Sequence, residues 1–174
     1  MAPAVLQLVA EHDRLFPEVA ARCPGTATPR PDTASPVASP TASPTASPQV
    51  SDGPVAPVDP ENAKYRENHA YRTTVEMNAA ATCRGEAHAA RVSAALAKSG
   101  DAASLTPEQV AAQLEALGYP KADTHVYRSG TEVDFDLFIP KAGPCLTGRL
   151  TSRPAVQPHG VYVEGGCTEP RGGH

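Results

Sequence analysis

The segment CRGEAHAAR, residues 83–91, brings a thiol, a carboxylate and an imidazole together as Cys83, Glu86 and His88. A thiolate flanked by an acid and a base is the minimum a thiol-dependent enzyme needs. The surrounding alanines predict a helix, however, and residues five apart on a helix lie about 140° round its axis from each other. Cys83 and His88 would then point in different directions, out of hydrogen-bond reach. The spacing favours a free, buried Cys83 packed on Ala87 and Ala90, with Glu86, His88 and Arg91 in solvent. A thiol mechanism would have to borrow a histidine from another element, such as His69 or His125.

A second candidate is VDFDLF, where Asp134 and Asp136 share one face of a strand. Two carboxylates at that spacing suit the acid/base pair of glycoside hydrolysis, or part of a calcium site. Acids that alternate with Val133, Phe135 and Leu137 more simply form the solvated outer face of a half-buried strand, and no third oxygen ligand stands nearby. The tail EGGCTEPRGGH sets Glu164, Arg171 and His174 among glycines, but no helix follows to aim its amides at a phosphate. It reads as a strand end. The surface best suited to a ligand is His125, Tyr127 and Arg128 beside Arg171 and His174. No catalytic residue, cofactor site or metal ligand emerges, and a small hydrolase or thiol enzyme using Cys83 or Asp134/Asp136 stands as the alternative.

The four cysteines, Cys23, Cys83, Cys145 and Cys167, are too widely spaced for a structural zinc site and suit disulfides instead. If Leu150 faces Val161 in an antiparallel pair, Cys145 lies opposite Gly166, one residue from Cys167. A shift at Gly165-Gly166 would close a Cys145–Cys167 bond, worth roughly 3 kcal/mol by loop entropy. Cys83 is then either free or joined to Cys23, with the free, buried form favoured.

The elements that would position these groups are legible in part. LTPEQVAAQLEALG carries Thr106 as N-cap, Pro107 at the first helical position, and Gln109 to complete a capping box. Leu105 and Val110 form a hydrophobic staple, and Gly118 stops the helix. A preceding helix spans 82–98, with Val92 and Leu96 on its apolar stripe and a stop at Ser99-Gly100; residues 60–81 lean toward helix. The period then falls to two. THVYRSGTEVDFDLFI predicts a hairpin turning at Ser129-Gly130, with Val126 opposite Val133 and His125 opposite Asp134. CLTGRL and GVYVEG supply two more strands, Leu146 and Leu150 sharing a face with Val161 and Val163. The fold class expected is α+β: two or three N-terminal helices on a four-stranded, mostly antiparallel sheet.

That domain occupies residues 60–174. Ten of the nineteen prolines fall between Pro24 and Pro60, in a stretch where Ala-Ser-Pro-Thr repeats at period four. Residues 24–59 are therefore expected to be a disordered, polyproline-biased linker of Pro, Thr, Ser and Ala. Residues 1–23 form a short segment whose Leu6, Leu8, Val9 and Leu15 suit an amphipathic helix. Its apolar run, ended by Glu11 and preceded by no basic residue, makes a poor signal peptide. Arg22 beside Cys23 argues against lipidation there. A net charge of −4 with no basic run argues against nucleic acid, and no apolar stretch is long enough to span a bilayer.

NHAYR, CRGEAHAARV, ALGY, AGPCLTG and HGVYVEGGCTEPRGGH resemble a family of small actinobacterial proteins, many of them exported or lipid-anchored. The similarity covers residues 58–174, with EGGCTEPRGGH its most specific phrase. It implies a cell-envelope location and no particular chemistry. The expected function is a non-enzymatic, exported or envelope-associated binding or structural module on a flexible tether, with an envelope protein or surface polymer as partner.

Overall fold

The computed structural model describes residues 3–23, 70–164 and 166–170. The expected linker 24–59 lies outside them, as do Arg171 and His174. Helices α1 (Pro3–Leu15), α2 (Pro17–Arg22), α3 (Ala79–Ala97) and α4 (Pro107–Ala116) precede a sheet of β1 (Thr124–Ser129), β2 (Glu132–Phe138), β3 (Cys145–Leu150) and β4 (Ala155–His159). The strands run in the order β1-β2-β3-β4, antiparallel throughout. The fold is the expected α+β, helices on a four-stranded antiparallel sheet. Among the described residues no helix is long and apolar enough to cross a membrane.

Local chemistry explains the helix ends. Asn78 accepts from the Ala81 amide to start α3, so residues 73–78 are not helical as the sequence suggested. The capping box of α4 forms as expected: the Gln109 amide donates to Thr106 Oγ1 at 3.3 Å, and the Thr106 amide donates to Gln109 Oε1 at 2.8 Å. Val133, Phe135, Leu137, Leu146 and Leu150 face the helices and are buried with Val92, Leu96, Val110 and Leu114. Two glycines make that packing possible. Gly148 sits opposite Phe135 and leaves room for its ring. Gly85 lets α3 lie against β4, where a Cβ would collide with the Pro158 ring.

Further expectations need correction. The hairpin turns at Gly130-Thr131, so Val126 pairs with Phe135 and His125 with Asp136. Gly130 has φ of +63°, and a two-residue turn with glycine in that conformation at its first position matches the twist of the strands. The fourth strand is AVQPH, not GVYVEG; as an edge strand it tolerates Pro158, whose missing N–H is not needed. Cys83 is not free. It is bonded to Cys23, and no described cysteine is unpaired. The loop closed by that bond has a sequence separation of 60, worth about 4 kcal/mol by loop entropy.

The bond attaches α1 and α2 to the core, and a buried polar chain finishes the attachment. His88 was expected in solvent but is fully buried, one helical turn before Val92 on the same stripe. Its Nε2 lies 2.9 Å from His12 Nε2, and its Nδ1 lies 2.7 Å from the Tyr119 hydroxyl. His12 Nδ1 lies 2.9 Å from Asp13 Oδ1. With both imidazoles neutral, the state their burial favours, and Asp13 accepting, one donor order satisfies every contact: Tyr119 O–H to His88, His88 Nε2–H to His12, and His12 Nδ1–H to Asp13. Phe16, between α1 and α2, packs edge-on to His88 at 4.7 Å, and Arg91 joins Glu18 to the Leu117 carbonyl at 2.7 Å each.

Burial, with His12, Arg91 and Arg84 nearby, pulls His88 down to about 3, and burial lowers His12 as well. The unfolded chain binds these protons near 6.5, so stability is full above that pH. It should fall below it by up to about 1.4 kcal/mol per pH unit for His88 alone. Thermal melts between pH 8 and pH 4 should show this decline, and His88→Gln should flatten it; parallel profiles for the two proteins would contradict the assignment. Gly85→Leu should destabilise the protein by about 1–3 kcal/mol in urea melts, through the collision with Pro158.

Candidate functional site

The helices cover one face of the sheet. The opposite face carries three cross-strand rows: His125, Asp136, Thr147 and Gln157; Tyr127, Asp134, Arg149 and Ala155; and Phe138, Cys145 and His159. The C-terminal segment crosses this face. Val75 donates to the Val161 carbonyl at 2.8 Å, Val163 donates to the Thr73 carbonyl at 3.2 Å, and Tyr162 donates to the Gly166 carbonyl at 2.7 Å. Cys167 is bonded to Cys145 with a Cα–Cα distance of 5.3 Å, the pairing expected from the strands. Its partner residue lies in β3, whereas the route through a GVYVEG strand does not exist.

Between the outer rows and this stapled segment lies a cleft of about 680 Å³. Asp134, Asp136, Thr147, Arg149 and Gln157 line it from the sheet, Tyr127 from β1, and Tyr162, Thr168 and Glu169 from the tail, with Arg72 at its rim. Of the expected ligand surface, Tyr127 lines the cleft and His125 stacks beside it at 4.9 Å. Arg128 pairs with Val133, so its place in the pleat is on the other side of the sheet. The cleft residues Thr147, Arg149, Gln157 and Tyr162 escaped notice in the sequence because each is an isolated polar or aromatic residue, joined to the others only by register.

Asp134 and Asp136 are on the outer face as expected, but they are not solvated; each is only 5% exposed. Asp134 is held by a forked pair of contacts, Arg149 Nε at 3.3 Å from Oδ1 and Nη2 at 3.4 Å from Oδ2. Engaged on both oxygens, it is removed from the free carboxylate pair that hydrolysis would use. The thiol mechanism is removed outright, because Cys83 is in a disulfide. The same bond takes up Cys23, leaving no thiol there for a lipid.

Asp136 heads a different arrangement. Thr147 Oγ1 lies 3.0 Å from Asp136 Oδ1 and 2.7 Å from His159 Nε2, while His159 Nδ1 lies 2.7 Å from the Gly160 carbonyl. A carbonyl only accepts, so Nδ1 carries a proton. Thr147 has one hydroxyl proton for its two contacts and can donate it to either. Burial raises the Asp136 pKa, opposed by the Thr147 and Thr168 hydroxyls and by His125 and His159. Asp136 Oδ2 is buried, and no group among the described residues completes a hydrogen bond to it. Nor do the described residues contain a group of three or more His, Cys, Asp or Glu side chains able to hold a metal ion.

Thr147→Val should break the chain, cost about 1–3 kcal/mol in stability, and raise the Asp136 pKa further. Carboxyl carbon NMR titration reads that shift directly. Thr147→Ser should behave as the parent does, and an unshifted Asp136 in the valine variant would rule out the bridging hydroxyl.

No protein-family model, curated protein or solved structure matches this chain.

Proposed function

We propose that the protein is a non-enzymatic binding module of the cell envelope, acting outside the reducing cytoplasm and taking a surface polymer as its ligand. The observation that carries this function is the cleft itself, a concave polar surface formed where a disulfide fastens residues 166–170 over the outer sheet face. Concavity with a few convergent polar groups is the usual form of a ligand site. Two disulfides favour an oxidising compartment. Binding is favoured over hydrolysis because Asp134 is neutralised by Arg149, leaving Asp136 without a second free carboxylate. An envelope protein is the other class of partner, and a polymer fits better because the cleft is lined by polar side chains rather than an apolar patch.

Protein isolated from its native cells without reductant should contain both disulfides by intact mass, and should co-sediment with purified envelope polymer. The double variant Cys145→Ser/Cys167→Ser should lose that co-sedimentation while keeping its helical circular dichroism. Recovery of the chain from cytoplasm with four free thiols would overturn the location. Undiminished sedimentation of the double variant would overturn the cleft as the binding surface.

A further inference from the structure

We infer that the cleft recognises an uncharged, polyhydroxylated ligand, a neutral saccharide unit, with Asp136 Oδ2 accepting one of its hydroxyl protons. The inference rests on the cleft being the binding site proposed above, and adds the chemical class of what enters it.

Three observations select that class. The first is the unpartnered oxygen. Asp136 is almost wholly buried, it lines the cleft, and its Oδ2 lacks a hydrogen bond among the described residues. A buried acceptor left without a donor costs about 1–3 kcal/mol, which a ligand's donor would recover. Ionised, or protonated on the Oδ1 that faces Thr147, the carboxyl leaves Oδ2 an acceptor, so the ligand brings an O–H or N–H donor.

The second observation is charge balance, which separates a hydroxyl from an ammonium group. Burial disfavours the ionised form of Asp136, which makes it a weak counter-charge for a cation. Asp134 is paired with Arg149, which also reaches Glu132 at 3.5 Å, and Arg72 is paired with Glu169 at 3.5 Å. Glu132 stands outside the cleft lining, so apart from Asp136 the charged side chains that line the cleft match one to one, and a charged ligand would have to break one of these pairs.

The third is the form of the walls. Tyr127 and Tyr162 contribute aromatic surface on either side of a floor that alternates acceptors and donors: Asp136, Thr147, Arg149 and Gln157. A pyranose has apolar C–H surface to lie against a ring and hydroxyls at its edge that each donate and accept. Gln157 presents both an amide donor and a carbonyl acceptor, and Arg149 presents donors only, so a ligand edge carrying several hydroxyls can be met at several points.

The test is amide NMR titration of the full chain, disulfides intact, with maltotriose, cellotriose and N,N′,N″-triacetylchitotriose as neutral probes. Chitosan trimer is the cationic probe and trigalacturonate the anionic one. At least one neutral trisaccharide should shift residues of β1 to β4 and Tyr162, with an affinity insensitive to added salt. Asp136→Ala should weaken it by about tenfold or more. Because a buried substitution can disturb folding, Gln157→Ala on the exposed edge strand provides a second variant, also expected to weaken binding. A charged probe bound more tightly than every neutral one, with affinity falling as salt rises, overturns the saccharide class and leaves a binding cleft in place. Shifts confined to other surfaces, or none with any probe, overturn the saccharide class and the cleft together.

Discussion

The bond between Cys145 and Cys167 decides what the outer face of the sheet is. A four-stranded meander has two faces, and here the helices cover one. Left alone, the other would be an ordinary wet surface, where Asp134 and Asp136 could be ionised with water as their partner. The crosslink holds residues 166–170 across that face, and part of the water is displaced. Every polar group beneath must then find a partner in the protein, since an ionised carboxylate deprived of both water and a counter-charge is very costly. Arg149 answers for Asp134, and Thr147 with His159 answers for Asp136. The oxygen left over is the exception that makes this surface more than a structural seam.

Much of the scaffold could be read along the chain because its signals are local. The capping box of α4, the alternation of β2 and the glycine stops act over a few residues, and the structure follows them. The hairpin turn was displaced by one residue because Ser129-Gly130 and Gly130-Thr131 both contain the glycine, and only its position in the turn separates them. AVQPH lacked the apolar alternation of a strand because an edge strand needs little of it, whereas GVYVEG had the alternation but makes only isolated bridges. His88 was recoverable: stepping back one turn from Leu96 and Val92 lands on it, but an imidazole on an apolar stripe is easily assigned to solvent. The Cys23–Cys83 pairing and the burial of the aspartates had no local signal, since both depend on segments distant in sequence coming together.

The two polar chains on opposite sides of the sheet solve the same problem differently. In Tyr119–His88–His12–Asp13, with the buried imidazoles neutral and Asp13 accepting, the donors run in a single direction from the tyrosine to the carboxylate. The chain is sealed in the core and serves to hold α1 and α2. In Asp136–Thr147–His159 the hydroxyl can donate either way. That chain borders the cleft, and the matched charges around it leave hydrogen-bonding shape, more than net field, as the means of selecting what binds.

The Cys23–Cys83 crosslink also changes what residues 24–69 amount to as a piece of covalent topology. Cys23 and Ala70 both belong to the one folded body, so the proline-rich repeat is a handle attached to it at two ends. A protease that cut the handle once would release no fragment. It would produce a two-chain protein with a new pair of termini, joined covalently by a single sulfur–sulfur bond and packed together through α1 and α2.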